Sequence, residues 1–277
     1  MERRPAVAGA FYPDDGKELH ELIEGFMEDA EPDRKAADSA ISYVAPHAGY
    51  IYSGHVAAFT YKALGMRPDL GGIETFVIIG PNHTGNGDAL SVSGADWNTP
   101  LGTVRNDIAF ARAMTGLDGR ITIDEEAHAS EHSIEVQLPL LQTVVKRPRC
   151  CFICMGDQSY EAAELLSCAI TGAAEKLNRK VSVIASSDFN HYESEAVSRG
   201  KDLPAIGALE RLNPREFHRL IEGSGDSACG YGPITVAAMQ AASCGAMRGK
   251  LLKYATSGAV TGDYGSVVAY ASIVFCR

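Results

Sequence analysis

The fold class is decided by the stretch Glu74-Thr75-Phe76-Val77-Ile78-Ile79-Gly80, an apolar run that closes in glycine. A continuous apolar run of this length suits a strand that is buried on both faces of a parallel sheet. Similar runs at 41–46 and 180–186 alternate with segments of helical spacing, such as 53–65. This alternation predicts an α/β fold, with one three-layer α/β/α domain over residues 1–277 and a mostly parallel central sheet.

Composition excludes several classes of function. The chain has 277 residues and a net charge of −10, without a basic run, so it is a poor candidate for binding nucleic acid or an anionic membrane. No apolar stretch is long enough to span a membrane, and the N-terminus lacks the apolar segment of a signal peptide. Seven cysteines without a disulfide-like spacing favour reduced thiols. We therefore expect a cytoplasmic protein.

Two further segments carry structural predictions. Residues 1–16 are too irregular for a helix, and their aromatic and glycine content predicts an N-terminal arm that packs on the domain. Residues 132–146 have the pattern of a helix, and Ser130 is placed to cap its N-terminus.

Histidines and other polar residues gather where the predicted strands end. His47 follows the first strand in Ala45-Pro46-His47-Ala48-Gly49-Tyr50, and His83 follows the second in Gly80-Pro81-Asn82-His83. Asp188 and His191 follow a third strand. In α/β proteins the crevice outside the carboxyl ends of the strands is the usual ligand site.

Two loops add further residues of the same kind, which are His128, Glu131, His132 and Cys229. Imidazole binds divalent metals of borderline and soft character, and its pKa near neutrality suits proton transfer. One histidine alone is as well explained by a structural role. Several at strand ends predict a metal or acid–base site.

The motifs that carry a resemblance to a known family are spread over nearly the whole chain. They are Pro5-Ala6-Val7-Ala8-Gly9, the His47 and His83 motifs, Glu131-His132-Ser133-Ile134-Glu135, Ser186-Ser187-Asp188-Phe189-Asn190-His191 and Cys229-Gly230. In this order they resemble the Memo family, whose archaeal and bacterial members are called AmmeMemoRadiSam system protein B. The resemblance implies a fold like that of the LigB-type (class III) extradiol dioxygenases, which are non-haem iron enzymes.

The same resemblance implies the metal ligands His47, His83 and Cys229, with Asp188 and His191 lining the pocket. Two imidazoles and one anionic ligand leave coordination positions open for a substrate or O2. The dioxygenases have a carboxylate where this chain has Cys229. A thiolate is softer and favours Fe(II) or Cu(I), with zinc as a substitute. The expected cofactor is therefore Fe(II) or Cu(I).

Two classes of function follow. The first is a metal-dependent redox enzyme, dioxygenase-like or otherwise, in which His132, Asp188 and His191 are the catalytic residues and a histidine moves protons for a small substrate. The second is a non-enzymatic module that binds metal or a peptide in the same cleft, together with radical-SAM and AMMECR-type proteins as partners. Five residues beside these groups are predicted to line the substrate pocket: Tyr50, Tyr52, His128, Glu131 and Tyr231.

Three of the motifs allow another interpretation. The spacing His128-x-x-Glu131-His132 matches the inverted zinc-peptidase pattern, which requires one helix to carry both histidines. Cys229 also suits a nucleophile paired with a histidine, with Asp188 orienting that histidine. The C-x-x-C of Cys151 and Cys154 falls on a predicted strand, where residues three apart face opposite sides, so we expect these thiols in the core.

Overall fold

The apolar runs form a central sheet of twelve strands in a computed structural model that describes residues 1–277. The strands are β1 (Glu2–Arg3), β2 (Ala40–Ala45), β3 (Thr75–Pro81), β4 (Leu90–Val92), β5 (Asp96–Thr99), β6 (Gly102–Asn106), β7 (Ile121–Ile123), β8 (Arg149–Met155), β9 (Val181–Ser186), β10 (His191–Glu193), β11 (Arg248–Thr256) and β12 (Val267–Cys276).

The middle of the sheet is parallel. Strands β8, β3, β9 and β2 lie side by side in that order and run in the same direction. The antiparallel strand β12 lies beside β2 and also pairs with β11. Every residue of β3 is buried, as its continuous apolar sequence predicted. The predicted α/β class with a mostly parallel central sheet is confirmed.

Ten α-helices cover the sheet. They are α1 (Gly16–Asp29), α2 (Arg34–Asp38), α3 (Tyr50–Gly65), α4 (Ile108–Thr115), α5 (Gln137–Val144), α6 (Tyr160–Leu177), α7 (Glu195–Glu210), α8 (Pro214–Ser224), α9 (Tyr231–Ser243) and α10 (Gly258–Thr261), together with a short 3-10 turn at Leu70–Gly72. None of them combines the length and the apolar character that a membrane crossing requires.

The helices form two layers because β3 presents alternate side chains to opposite faces. Val77 and Ile79 join a core cluster with α4, α6, α7, α8 and α9. Phe76 and Ile78 join a second cluster with α1, α2, α3 and α5. Two separate cores, one on each face of the sheet, make the three-layer arrangement that the alternating pattern predicted.

The predicted helix over 132–146 was wrong at its N-terminal end. Helix α5 begins only at Gln137, and Val136 precedes it without a side-chain cap, so Ser130 does not cap it. Glu131 and Glu135 of this segment are fully buried and bind other parts of the chain. These tertiary bonds hold the segment in turns, which overrides its helical spacing.

Smaller differences lie at other boundaries. Helix α3 begins at Tyr50, before the predicted start at residue 53, because the chain turns into the helix directly after Gly49. The short helix α2 precedes β2, and the side chain of Asp33 caps it. Cys151 and Cys154 are buried on β8, as expected, and so is the adjacent Cys150.

The first sixteen residues lie against the domain. Strand β1 pairs with β5, and the side chains of Arg3 and Tyr12 are buried. The arm reaches the carboxyl end of the sheet, where the Phe11 backbone carbonyl accepts a hydrogen bond from the Tyr50 N–H.

Candidate metal centre

Three side chains meet beyond the carboxyl ends of the parallel strands. His47 follows β2, His83 follows β3, and Cys229 lies directly before α9. Their nitrogen and sulfur atoms all lie within 4.8 Å of one another. The Cys229 Sγ is 3.1 Å from His47 Nε2. A tetrahedral metal ion is bound at about 2.0 Å by nitrogen and about 2.3 Å by sulfur, so two of its ligand atoms lie about 3–3.5 Å apart, close to the distance between Cys229 Sγ and His47 Nε2.

His47 is fixed from its backbone. Its N–H donates to Asp188 Oδ1 at 2.7 Å, and the Asp188 carbonyl accepts the Cys229 N–H at 3.3 Å. Asp188, which follows β9, therefore joins the loops that carry two of the three ligands. Gly230 allows this approach, because a Cβ there would collide with the backbone of β9.

His83 is fixed by Glu131. The carboxylate accepts the His83 backbone N–H at 2.6 Å and lies 2.9 Å from His83 Nδ1. Burial opposes its ionisation, but the hydrogen bond and charge of His83 outweigh burial and lower the pKa of Glu131 to about 2. A carboxylate behind a histidine is the usual support of a metal-binding imidazole.

His132 completes a cluster of three imidazoles. Its ring stacks on that of His83 at 4.6 Å between centroids, and Phe11 of the arm packs against the His132 ring at 4.8 Å between centroids. The atoms of His83, Glu131 and His132 form a second group that lies within 4.8 Å. Burial lowers the pKa of His132, partly offset by the charge of Glu131.

Burial disfavours the charged forms of His47, Cys229 and Asp188. It lowers the pKa of His47, and the neighbouring His132 and His83 lower it further. It raises the pKa of the Cys229 thiol, as does the charge of Asp188. Burial raises the pKa of Asp188 to about 7, although the hydrogen bonds that it accepts from backbone N–H groups lower the pKa in part. A metal ion would supply the positive charge that a buried thiolate requires.

The residues present fit a metal. The Nδ1 of His83 is hydrogen-bonded to Glu131, and the Nδ1 of His47 lies 2.9 Å from Ser186 Oγ. Each imidazole therefore keeps its Nε2 for a ligand, and Cys229 adds sulfur. Nitrogen and sulfur donors of this kind suit zinc, copper or iron.

A cleft of about 480 Å³ opens above this group. Its walls are formed by Phe11, His47, Ala48, Gly49, Tyr52, His83, His132, Asp188, His191, Tyr192, Ser257, Thr261, Val268 and Tyr270. His191 is oriented by the Ser227 carbonyl, which lies 3.1 Å from its Nδ1. Of the predicted site residues, the structure thus brings His47, His83, His132, Asp188, His191 and Tyr52 to the cleft.

Three residues predicted to line the substrate pocket lie elsewhere. The hydroxyl of Tyr50 is buried and donates to the Val136 carbonyl at 2.6 Å. The ring of Tyr231 packs on His218, with 5.1 Å between centroids. His128 is buried against Trp97, and neither of its ring nitrogens has a hydrogen-bond partner. Tyr50 and His128 are therefore buried in the core, and Tyr231 is partly buried against it, although all three are close in sequence to residues of the site.

Glu131 also departs from the predicted pocket role, since it lies fully buried behind His83. The inverted zinc-peptidase arrangement is not formed, because His128 and His132 both precede α5 and share no helix.

Several residues of the site were missed in the sequence. Ser186 and Gln137 are buried polar residues behind His47, in segments that looked like ordinary strand and helix. Tyr192 lines the cleft with a left-handed backbone, φ 61°, and its side chain is 78% exposed. Local sequence carries no signal for these residues, apart from the adjacency of Tyr192 to His191.

A family model described as a Memo-like protein matches residues 3–274. The chain belongs to the Memo family. A MEMO1 family protein of Methanopyrus kandleri is 44% identical over 285 residues and is covered, like this chain, over 100% of its length. One from Methanocaldococcus jannaschii is 41% identical, with 98% of each chain covered, and one from Ignicoccus hospitalis is 42% identical, with 99% of each covered.

Membership confirms the family that the motifs indicated. The match between this chain and these relatives covers 98–100% of each sequence. The names of these relatives state a family and no reaction.

Proposed function

We propose that this Memo protein is a metal-dependent oxidoreductase that uses Fe(II) or Cu(I) and acts on a small molecule in the cleft above His47, His83 and Cys229. The observation that carries the proposal is the convergence of two imidazoles and one thiol, each histidine being supported at its Nδ1. Zinc would be bound by the same atoms as a redox-inactive substitute.

When bound, such a metal would supply an open coordination position and a change of oxidation state. The chain would supply the remaining functions. Asp188 holds the backbone of His47 and so keeps that ligand in place. Phe11, Tyr52 and Tyr270 form apolar walls that restrict water around the bound substrate.

His191 is suited to moving a proton. Its Nδ1 faces a backbone carbonyl, which only accepts, so this nitrogen carries the proton and Nε2 remains as the basic atom. His132, which also lines the cleft, has one ring nitrogen 3.4 Å from Glu131 and offers a second acid or base. Two such groups allow one to remove a proton and the other to return it.

The test begins with anaerobic purification and elemental analysis of the protein loaded separately with Fe(II) and Cu(I). Cys229→Ser should lose most of the bound metal, whereas Cys168→Ser, which changes an exposed thiol, should keep it. Full metal occupancy of Cys229→Ser would overturn the ligand assignment. Oxygen consumption with catechol and other small substrates then tests the redox activity.

A second function is favoured by the exposed rim of the cleft. Tyr192 is 78% exposed and Tyr52 37%, so the opening presents aromatic surface to a partner. In this alternative the protein is a non-enzymatic metal- or peptide-binding module that works with radical-SAM and AMMECR-type proteins. Metal-loaded protein that binds such a partner, yet shows no turnover with any substrate tested, would favour the module over the enzyme.

A further inference from the structure

A buried polar network lies behind His47, on the side away from the cleft. It consists of Ser186 at the end of β9, Gln137 at the start of α5, and Tyr61 in α3. The Ser186 Oγ lies 2.9 Å from His47 Nδ1, 2.8 Å from Gln137 Nε2 and 2.6 Å from the Ser133 carbonyl. All of these side chains are shielded from solvent, so each polar atom has to find its hydrogen-bond partner within the protein.

The direction of each hydrogen bond can be worked out from groups that only accept. The Pro46 carbonyl lies 2.9 Å from one end of the Gln137 amide, which identifies that end as the NH2 group. The other end is then the oxygen, and it accepts from the Tyr61 hydroxyl at 2.8 Å. The second N–H of the amide is directed at Ser186 Oγ.

The Ser186 hydroxyl has a single proton, and it donates this proton in the hydrogen bond to the Ser133 carbonyl, because a carbonyl can only accept. The Ser186 oxygen therefore accepts from Gln137 and can only accept from His47 as well. It follows that His47 carries its proton on Nδ1. The lone pair is left on Nε2, which faces Cys229 Sγ at 3.1 Å.

We infer that Ser186 and Gln137 are positioning residues that hold neutral His47 in the Nδ1–H tautomer, so that Nε2 is ready to bind a metal ion. The tautomer of a histidine is set by the partner of its other nitrogen, and such outer partners affect metal affinity. The link to metal rests on the proposed function. The tautomer belongs to the metal-free chain and can be measured separately.

The first measurement is nitrogen NMR of the metal-free protein labelled with ¹⁵N-histidine, at a pH where the histidines are neutral. The His47 signals, identified by their loss in His47→Gln, should show a protonated Nδ1 and a bare Nε2. Ser186→Ala removes the acceptor and should shift His47 toward the other tautomer. Ser186→Thr keeps the hydroxyl and should restore the wild-type pattern, which a purely structural role of the serine would not require.

Ser182→Ala is the matched control. Ser182 lies on the same strand, is also buried, and bonds the Ile41 carbonyl away from the site. It should leave the His47 tautomer unchanged. Zinc affinity, measured by competition with a chelator, should fall about 10- to 100-fold in Ser186→Ala and stay unchanged in Ser182→Ala.

The inference is overturned if wild-type His47 carries its proton on Nε2, or if Ser186→Ala leaves the tautomer as it was. Should Ser186→Ala fail to fold, the wild-type spectrum alone still decides the tautomer. Wild-type protein that shows the Nδ1–H tautomer but binds no metal would contradict the proposed function while supporting the assignment of the network.

Discussion

One buried carboxylate, that of Glu135, holds the N-terminal arm to the site. Replacing Glu135 tests how much this carboxylate contributes to stability and to the attachment of the arm. Glu135 accepts four hydrogen bonds: from Arg3 Nη1 at 2.6 Å, the Ala6 N–H at 2.7 Å, the Val7 N–H at 3.0 Å and the Tyr12 hydroxyl at 2.6 Å. Glu135→Gln keeps the size of the side chain and removes its charge. Two donors face each carboxylate oxygen, so the new NH2 group meets donors in either orientation.

The expected cost follows from the burial of the ion pair. Both side chains are shielded, with 7% exposure for Arg3 and 0% for Glu135. Removing one partner of such a pair costs about 3–5 kcal/mol, because the other charge stays buried. Arg3 keeps its hydrogen bonds to the carbonyls of His128 and Glu131 in the variant, so its charge is not left without partners. We therefore expect the free energy of unfolding to fall by about 3 kcal/mol, the lower end of that range. At about 2–4 °C per kcal/mol, the Tm should fall by about 6–12 °C.

The assay is denaturant unfolding, combined with limited proteolysis of the first sixteen residues. The arm should become sensitive to protease in Glu135→Gln, because one of its backbone N–H groups, that of Ala6 or of Val7, loses its acceptor in either orientation of the amide. Glu164→Gln makes the same change in an exposed ion pair with Arg215 and should behave like wild type. The double variant with Arg3→Met should recover part of the stability, since it no longer buries a lone charge.

Two results would refute this account. One is a Glu135→Gln protein with an unchanged unfolding midpoint and a protected arm. The other is strict additivity of Arg3→Met and Glu135→Gln, which would mean that the two side chains do not depend on each other.

Three other predictions follow from single residues. Burial raises the pKa of Asp202 to about 8 and that of its neighbour Asp226 above its ordinary range. A raised folded-state pKa gives stability that is complete below the unfolded pKa of about 3.8 and is lost by the time the pH has passed the folded pKa, so the unfolding midpoint should fall as the pH rises from about 4 to about 8 and level off above that, and Asp226→Asn should flatten this dependence. Tyr192→Gly removes the strain of a left-handed backbone, about 1–2 kcal/mol, and costs about 0.5–1 kcal/mol because glycine has more conformational entropy in the unfolded chain. The unfolding midpoint should therefore rise slightly. Tyr264→Gly, at an exposed residue without positive φ, should not raise it. Gly230→Ala should weaken zinc binding about tenfold or more in a chelator competition, because the added methyl group pushes the adjacent Cys229 loop away from β9.

Much of the fold could be predicted because its signals are local. The apolar sequence of β3 indicated a strand buried on both faces, and the structure buries every residue of it. The predicted helix over 132–146 failed because Glu131 and Glu135 bind His83 and Arg3, which lie far away in sequence. Helical periodicity in a short window contains no information about such partners.

The candidate site likewise contains residues that the sequence indicates and residues that only the packing places. Its six cleft residues could be recognised because they are polar groups in loops at strand ends, where parallel strands bring them to one edge of the sheet. Tyr50, His128 and Tyr231 could not be placed, since the direction of a side chain depends on the packing around it.

The sequence alone determined the alternation of strands and helices, the family, and the polar residues that the strands deliver to one edge. Periodicity and composition act over a few residues, and that range suffices for these features. Only the tertiary structure decided which atoms face the cleft and which support it from behind. Ser186 and Gln137 are 49 positions apart in the chain yet share one hydrogen bond beside His47. Such contacts arise when buried polar groups have to satisfy one another, and that requirement is met only once the layers have packed.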